Sequence, residues 1–352
     1  MNTPLVSILI PNYNKAKYIR ETLDSIIAQT YTNWECIIID DQSTDNSWEI
    51  LQEYAAKDSR FQIHKRPAHL LKGGNACRNY AFELSKGDYI QWFDSDDLMF
   101  LNSLQNRLEA ITQGDYDFIV YNGILWNGLD SNALLVSDWK GGNVYEAFLN
   151  FEPIWLTQST MINKRIIDKY NLKWDENVPF YQDVLYNLEL LSLTKKYAIT
   201  NEVDWVWYVT NGNGLGNRTK KINTYVENFN LCNSFYLCVK NNKDVYLILK
   251  NFCFERIYRL IKSNNREIKD LSPLLAYLDF FIVKNISLNI LERLHILFIK
   301  IIIYSFSNNI RIGKSLFFRF FKYHINMKKK SFSFDHFLTK RVALKSLNSF
   351  EF

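Results

Sequence analysis

Apolar and polar positions follow two rhythms along the first hundred residues. Between short apolar runs, apolar side chains recur every three or four positions, as Ile19, Leu23 and Ile26 do, which predicts helices. The apolar runs themselves predict buried strands, at 5–10, 35–40, 61–65 and 88–93. Strands separated by helices imply right-handed crossovers and a mostly parallel sheet. The fold class predicted is therefore α/β, with helices flanking the sheet.

The next hundred residues show a more mixed pattern. Apolar runs predict further strands at 115–126, at 153–163 and, as a strand or hairpin, from 197 to 210. Helical spacing predicts helices over 165–172 and 182–193. A loop rich in glycine and asparagine then occupies 211–221, and such loops often separate domains. We predict an α/β domain over 1–215 and a mainly α-helical region over 216–352.

Length and cysteine usage narrow the class of protein. With 352 residues, of which 47% are hydrophobic, the chain can bury a large core, and its length favours two domains. Its five cysteines include no CxxC pair, which predicts buried thiols in a reducing compartment. The first apolar run has only six residues before Pro11, too few for a signal peptide. These features predict a cytoplasmic protein.

Polar residues gather where three of the predicted strands end. Pro11–Tyr13 follows the first strand, Asp40–Asp41 the second, and Asp94–Asp97 the fourth. Ligands of open α/β sheets bind beyond the carboxyl ends of the strands. We therefore expect one rim of the sheet to hold the ligand site.

The segment "WFDSDD" crowds three carboxylates, those of Asp94, Asp96 and Asp97, into four positions. Like charges at such spacing raise one another's pKa unless a cation or hydrogen-bond donors neutralise them. Mg²⁺ and Mn²⁺ favour oxygen ligands and commonly take one or two carboxylates together with phosphate oxygens. The alternative is that Asp96 or Asp97 caps a helix beginning near Leu98, which accounts for only one of the carboxylates.

The other strand ends allow both a functional and a structural interpretation. Asp41 is placed to accept hydrogen bonds from the N–H groups of a base or the hydroxyls of a ribose, or it forms a turn. Tyr13 either stacks on a nucleobase or covers the sheet edge, and Pro11 ends the first strand. Arg78, near a helix start preceded by two glycines, is either a phosphate partner or an exposed helix residue.

Three ordered stretches resemble the family 2 glycosyltransferases, which are inverting enzymes of the GT-A fold. They are "VSILIPNYNKAKYIRETLDSIIAQTYTNWECIIIDDQSTDNS", "GGNACRNYAFELSKGDYIQWFDSDD" and "FYQDVLYNLELL". The resemblance implies a nucleotide-sugar donor, most often UDP-linked, and Mn²⁺ or Mg²⁺ held by a DxD-type motif. By position, Pro11, Tyr13 and Asp41 match the nucleotide-contacting residues of the family, and Asp94, Ser95, Asp96 and Asp97 match the DxD-type motif, with Asp96 and Asp97 as metal ligands. Arg78 is added to the donor-binding residues as the candidate phosphate partner.

The resemblance also places Asp183 as the catalytic base. A single displacement with inversion needs one carboxylate to take the proton from the acceptor hydroxyl. The family often has Glu-Asp here, where this chain has Gln182-Asp183. The alternative is that Asp183 only caps its helix. In the loop after 210, Arg218 either closes over the leaving group or is solvated.

The function implied is transfer of a hexosyl or N-acetylhexosaminyl group to a saccharide or lipid-linked saccharide in surface or capsular polysaccharide synthesis. The alternative is a non-catalytic nucleotide-sugar-binding scaffold. Aromatic residues near the acceptor side either face sugar rings or, more often for large aromatics, belong to the core: Trp126, Trp155, Tyr181 and Trp205.

The carboxy-terminal third is helical, aromatic and basic. Residues 281–346 contain thirteen lysines and arginines against two acidic residues. Its longest near-apolar stretch, 294–306, is too short for a membrane span. We predict peripheral contact with the cytosolic membrane face, the alternative being a helical bundle packed on the catalytic domain. No nucleic-acid-binding module is recognisable, so no nucleic-acid partner is expected.

Overall fold

The structure is a computed structural model, and it describes residues 3–126, 132–136, 139, 141–149, 154–178, 181–208 and 341–343. The chain divides into two compact units, Met1–Gly214 with Phe334–Phe352, and Leu215–Ser333. All described residues belong to the first unit. The predicted helical region over 216–352, the basic region 281–346 and Arg218 lie outside the described residues, apart from 341–343. The predicted boundary at 215 stays a prediction.

Strands and helices alternate through the first half of the described chain. The strands are β1 (Val6–Asn12), β2 (Trp34–Asp40), β3 (Phe61–Lys65), β4 (Tyr89–Trp92), β5 (Leu98–Met99), β6 (Phe118–Trp126), β7 (Asn132–Leu135), β8 (Thr160–Asn163), β9 (Tyr197–Tyr208) and β10 (Arg341–Ala343). The helices are α1 (Ile19–Ile27), α2 (Ser47–Lys57), α3 (Gly74–Leu84), α4 (Ser103–Gln113), α5 (Val144–Leu149), α6 (Lys164–Tyr170) and α7 (Gln182–Leu193). Thr157–Ser159 forms one 3₁₀ turn before β8.

One sheet contains all ten of these strands, in the order β10-β7-β6-β8-β4-β1-β2-β3, with β9 beside β6 and β5 beside β9. The pairs β1–β2, β2–β3 and β1–β4 are parallel, as predicted. Because β2 and β4 lie on opposite sides of β1, the strand order reverses there. Such a reversal opens a crevice at the carboxyl ends of the strands.

Burial explains why the first strands could be identified from their sequence. Every residue of β2 is buried, and so are the residues of β1 apart from Pro11. Parallel strands covered by helices on both faces consist of nearly continuous apolar runs. Cys36 and Cys77 are buried free thiols, as predicted, whereas the other three cysteines lie outside the described residues.

Two element predictions were wrong. The helix predicted to begin near Leu98 begins at Ser103, because Leu98 and Met99 are buried and pair antiparallel with Val206 and Trp205. The strand predicted over 153–163 is confined to Thr160–Asn163. The uncertain segment from 197 is a single strand, β9. Within the described residues, no helix has the length and apolarity needed to cross a bilayer.

Candidate active site

The candidate site lies at the carboxyl ends of β1, β2 and β4, where the predicted polar residues meet. The register of the strands brings these ends together, because Asn12 at the end of β1 pairs with Asp40 at the end of β2. The Asp40 carboxylate accepts hydrogen bonds from the Asn12 amide at 2.8 Å and from the Ser43 backbone N–H at 2.9 Å. Asp40 therefore stabilises the two strand ends, and Asp41 follows it at the rim.

Each carboxylate of the acidic loop 94–97 has a different set of partners. Asp94 accepts from Arg78 Nη2 at 2.7 Å and from Gln158 Nε2 at 2.9 Å, and its side chain is 33% exposed. Asp96 forms an ion pair with Lys15 and is 20% exposed. Burial raises the pKa of Asp96, and the neighbouring Lys15 ammonium opposes that shift.

Asp97 faces the protein interior. One carboxylate oxygen accepts from the backbone N–H of Tyr208 at 3.2 Å, and the other accepts from the Gln158 amide. Burial, followed by the charges of Asp96 and Asp94, raises the pKa of Asp97 well above the ordinary aspartate value. The helix-capping alternative is wrong for Asp97, because it bonds to β9 and to Gln158 and not to the start of α4. Ser95 is also buried.

Arg78 is buried beneath the acidic loop, so the exposed-helix alternative is wrong. Its guanidinium lies 4.7 Å from the ring centroid of Trp174, which stacks at 4.1 Å on Tyr186. Gly73 has a φ of +133°, a backbone conformation that favours glycine. A Cβ on Gly74 would stand 3.3 Å from Arg78 Nη1. Gly74 thus leaves room for the Arg78 guanidinium, which reaches Asp94.

Asp183 occupies the first turn of α7, and Tyr181 precedes that helix in the left-handed region with a φ of 56°. A left-handed conformation in a bulky residue is unfavourable by about 1–2 kcal/mol, and such residues concentrate at functional sites. Burial raises the pKa of Asp183, while its own and the following backbone N–H lower it. Tyr186 of the same helix stacks on Trp174, the ring that faces Arg78, so α7 packs beside the residues that support the acidic loop.

The residues predicted to contact the nucleotide line the other end of the rim. Asp41 is buried and forms an ion pair with the buried Arg66, whose Nη1 also donates to the Pro67 carbonyl at 3.1 Å. Tyr13 is half-buried, and Lys72 Nζ lies 4.6 Å from its ring centroid. These contacts leave both the stacking and the edge-covering interpretation of Tyr13 available.

Pro11 lies in β1 beyond the last residue that pairs with β4, and it faces the start of α3. The next two turns of the rim contain left-handed residues, Asn14 with a φ of 53° and Gln42 with a φ of 60°. Asparagine tolerates this conformation, and glutamine does so less readily. Left-handed residues thus occur in three of the loops that bear the predicted site residues.

The aromatic residues considered for the acceptor side separate into two groups. Trp155 and Trp205 are fully buried in the core. Trp126 and Tyr181 are half-buried, and the Trp126 ring lies 6.2 Å from that of Tyr208. The core interpretation therefore applies to the first pair.

Sequence reasoning missed three site residues, Lys15, Arg66 and Gln158. Each contacts a predicted aspartate across a long sequence separation. Lys15 lies in the turn after β1, and the helical stripe beside it gave no reason to single it out. Gln158 lies in the 3₁₀ turn inside a segment predicted as strand. A buried polar residue in an apolar run was the available signal.

The donor set fits a hard divalent cation. Asp94 and Asp96 present partly exposed carboxylates on one loop, and Mg²⁺ or Mn²⁺ sites commonly combine one or two carboxylates with substrate phosphates. Within the described residues, no group of three His, Cys, Asp or Glu side chains is arranged to hold a metal by itself. A metal bound here would thus complete its coordination with phosphate or water oxygens.

Solved structures share this fold. The crystal structure of Staphylococcus aureus TarS in complex with UDP-GlcNAc has a TM-score of 0.62 at 15% identity, covering 80% of this chain and 81% of that one. The Pyrobaculum calidifontis mannosyltransferase PcManGT in complex with GDP-Man and Mn²⁺ has a TM-score of 0.52 at 14% identity, covering 94% and 89%. At such identities the likeness shows the fold alone, and it confirms the predicted GT-A architecture.

Curated relatives match at higher identity. EpsJ, an uncharacterized glycosyltransferase of Bacillus subtilis, is 28% identical over 222 residues, or 60% of this chain and 63% of EpsJ. GlyG, a glycosyltransferase of Streptococcus pneumoniae, is 35% identical over 129 residues, or 36% of this chain and 42% of GlyG. The match to this chain thus covers less than two thirds of either relative.

A third relative is covered more completely. The Escherichia coli enzyme UDP-Glc:alpha-D-GlcNAc-diphosphoundecaprenol beta-1,3-glucosyltransferase WfaP is 30% identical over 224 residues, covering 62% of this chain and 82% of WfaP. The sequence profile described as Glycosyl transferase family 2 matches residues 7–180. The predicted resemblance is therefore confirmed: this chain belongs to glycosyltransferase family 2.

Proposed function

We propose that this protein transfers a sugar from a nucleotide-sugar donor to an acceptor hydroxyl with inversion at the anomeric carbon. The proposed donor is a UDP-linked hexose or N-acetylhexosamine, and the acceptor is a saccharide or lipid-linked saccharide of a surface polysaccharide. The names of the relatives support this choice, since WfaP is a UDP-glucose enzyme acting on a diphosphoundecaprenol-linked sugar. TarS binds UDP-GlcNAc. A reaction at the cytosolic membrane face is consistent with such an acceptor.

Asp183 is the proposed general base. In a single displacement the acceptor oxygen forms its bond to the anomeric carbon as the bond to the diphosphate breaks, and the hydroxyl proton passes to the Asp183 carboxylate. Burial raises the pKa of this carboxyl, which makes the carboxylate a stronger base than an exposed aspartate. The Asp183 carboxyl is ionised, and so able to accept a proton, only above its raised pKa.

The acidic loop is the proposed diphosphate end of the site. Asp94 and Asp96 would hold a divalent metal, and a bound metal would neutralise the charge that develops on the departing diphosphate. Asp97 instead fixes the loop from inside through Gln158 and the Tyr208 N–H. The arrangement therefore favours Asp96 over Asp97 as the metal-facing carboxylate. Arg78 orients Asp94 from below.

Asp41, Arg66 and Tyr13 form the proposed nucleoside end. A nucleobase N–H would bond to the Asp41 carboxylate, which Arg66 holds in place. Tyr13 and Pro11 would flank the base at the end of β1. Ser95, which is buried, stands between Asp94 and Asp96 in the acidic loop.

One observation supports this proposal: α7, which carries Asp183, packs on the site through Tyr186, which accepts from Trp92 Nε1 of β4 at 3.2 Å and stacks on the Trp174 ring that faces Arg78. The helix that bears the proposed base thus packs against the elements that bear Arg78 and the acidic loop. A structural role for Asp183 alone would not require that neighbourhood.

The test compares Asp183→Asn with Asp168→Asn, an exposed aspartate on α6. We expect the first change to lower turnover by about a hundredfold or more, since a positioned base contributes that much. Affinity for UDP, measured by calorimetry with Mn²⁺, should stay within a few-fold. The Asp168→Asn variant should match the parent in both measurements.

A nucleotide-sugar panel should first identify the donor, scored by donor-dependent stabilisation and by transfer or slow hydrolysis. Unchanged turnover in Asp183→Asn would remove Asp183 as the base. Donor binding by the parent protein without turnover on any acceptor would favour the scaffold alternative.

A further inference from the structure

Two cations of the chain itself neutralise the exposed part of the acidic loop, and they differ in how firmly they are held. Arg78 is 4% exposed, lies against the Trp174 ring and also donates to Asn75 Oδ1 at 3.3 Å. Lys15 is 23% exposed, and Asp96 is the one side chain of the described residues to which its ammonium is bonded. Arg78 is thus a fixed counter-charge, whereas Lys15 is able to leave.

The backbone of Lys15 is fixed independently of its side chain. Its N–H donates to Ser47 Oγ at 2.8 Å, and its carbonyl accepts from the backbone N–H groups of Tyr18 at 2.8 Å and Ile19 at 2.9 Å. The next residue, Ala16, donates its N–H to Asp45 at 3.0 Å. Rotation about the lysine side-chain bonds therefore leaves the turn intact.

A lysine ammonium and a divalent metal compete for the same ligand. Both are hard, strongly hydrated cations that approach a carboxylate oxygen, and the ammonium is bonded to Asp96 Oδ2, so a metal bound at that same oxygen would displace it. The ammonium at Asp96 also offsets the repulsion among the three carboxylates, which would otherwise favour proton uptake. When a metal replaces it, the lysine needs a new negative partner, and the donor diphosphate supplies one.

We propose that Lys15 is an exchangeable counter-ion: it occupies the metal position at Asp96 in the metal-free protein and moves to the donor diphosphate when the metal binds. This proposal rests on the proposed function, because it assigns the order of events at that same site. Lys15 is then a ligand-positioning residue that weakens metal binding and strengthens binding of the donor diphosphate.

Opposite effects separate this role from a merely structural one. Removing the ammonium removes a competitor, so metal affinity without nucleotide should rise. The same change removes a partner of the diphosphate, so the affinity for UDP in saturating metal should fall. A variant that simply damaged the loop would weaken both.

The experiment uses the full-length protein and its Lys15→Met variant, which keeps most of the side-chain length without the charge. Lys17→Met is the matched control, because Lys17 lies two residues away, is exposed and contacts the Tyr18 ring. Mn²⁺ binding is measured by the loss of the free-ion electron paramagnetic resonance signal, and UDP binding in saturating Mn²⁺ by calorimetry.

We expect Lys15→Met to bind Mn²⁺ about three- to tenfold more tightly than the parent, the range for a partly exposed ion pair. UDP should bind about ten- to a hundredfold more weakly, as expected for the loss of one charge-assisted bond. Lys17→Met should match the parent in both. Unchanged or weaker Mn²⁺ binding in Lys15→Met would overturn the exchange and leave the proposed transferase standing. UDP binding by a parent that takes up no Mn²⁺ would overturn both the exchange and the metal assignment.

Discussion

The buried ion pair between Arg107 of α4 and Asp204 of β9 provides the sharpest test of how the site is supported. Arg107 donates from Nε and Nη2 to the two Asp204 oxygens, both at 2.6 Å. Its Nη1 donates to Gln91 Oε1 at 2.6 Å and to the Gln158 backbone carbonyl at 2.7 Å. The side chain of that same Gln158 holds Asp94 and Asp97. Arg107 therefore anchors the acidic loop from behind.

Arg107→Met leaves the Asp204 charge buried without a cation. Breaking a buried pair by removing one partner lowers the free energy of unfolding by about 3–5 kcal/mol. In a unit of this size that corresponds to a fall in Tm of about 6–20 °C. The double variant Arg107→Met/Asp204→Leu removes both charges, so its loss should be smaller than that of Arg107→Met alone.

The loss of unfolding free energy in Arg107→Met should depend on pH. Burial raises the pKa of Asp204, and Arg107 opposes that shift. Without Arg107 the folded-state pKa rises further above the unfolded value, so the folded state takes up a proton more readily than the unfolded state. The stability lost in Arg107→Met is then largest above the raised folded-state pKa of Asp204, and it shrinks as the pH falls toward the pKa of the unfolded state.

The Tm of each variant and its dependence on pH are measured by thermal unfolding, followed by circular dichroism from about pH 4 to pH 8. The control is Arg20→Met, which removes an exposed ion pair of 2.8 Å with Glu53 and should leave Tm nearly unchanged. An Arg107→Met Tm within about 2 °C of the control would refute the argument that this pair is desolvated. A double variant less stable than Arg107→Met would also refute it.

Two further predictions concern the site itself. Because burial raises the pKa of Asp183, kcat/KM should fall on acidification at a pH above the ordinary aspartate range, and a profile flat down to that range would contradict the base assignment. Gln158→Leu should weaken Mn²⁺-dependent UDP binding about three- to thirtyfold, since it leaves two carboxylates without their shared donor. The exposed Gln113→Leu is its control, and equal affinity of the two variants by calorimetry would remove Gln158 from the site.

The parallel half of the sheet was predictable because its pattern is local. β1 and β2 are apolar on both faces, and α1 carries an apolar stripe, so the local sequence of each element indicates whether it is a strand or a helix. The antiparallel half was less predictable for the same reason. Leu98 and Met99 form a strand only because β9, a hundred residues later, pairs with them. Four apolar residues in a row carry no information about such a partner.

The same distinction divides the candidate site. The rule that ligands bind at the carboxyl ends of strands located Asp41 and the acidic loop from sequence. It could not locate Lys15 or Gln158. A lysine in a turn and a glutamine in an apolar run are recognisable as site residues only when the carboxylates that they contact are known. Arg78 was half-identified: its position near a helix start was visible, but its burial depends on Trp174, which follows almost a hundred residues later.

The acidic loop tolerates its charge because its three carboxylates are not equivalent. Asp94 is paired with a fixed arginine, Asp96 with a lysine that is partly exposed, and Asp97 with an amide and a backbone N–H. A loop that relied on a metal alone for neutralisation would be unstable in the metal-free protein. Here, two chain cations and the Gln158 amide support the loop before any ligand arrives. In the proposed exchange the replaceable partner is the lysine at Asp96, which would separate folding stability from metal binding within four residues.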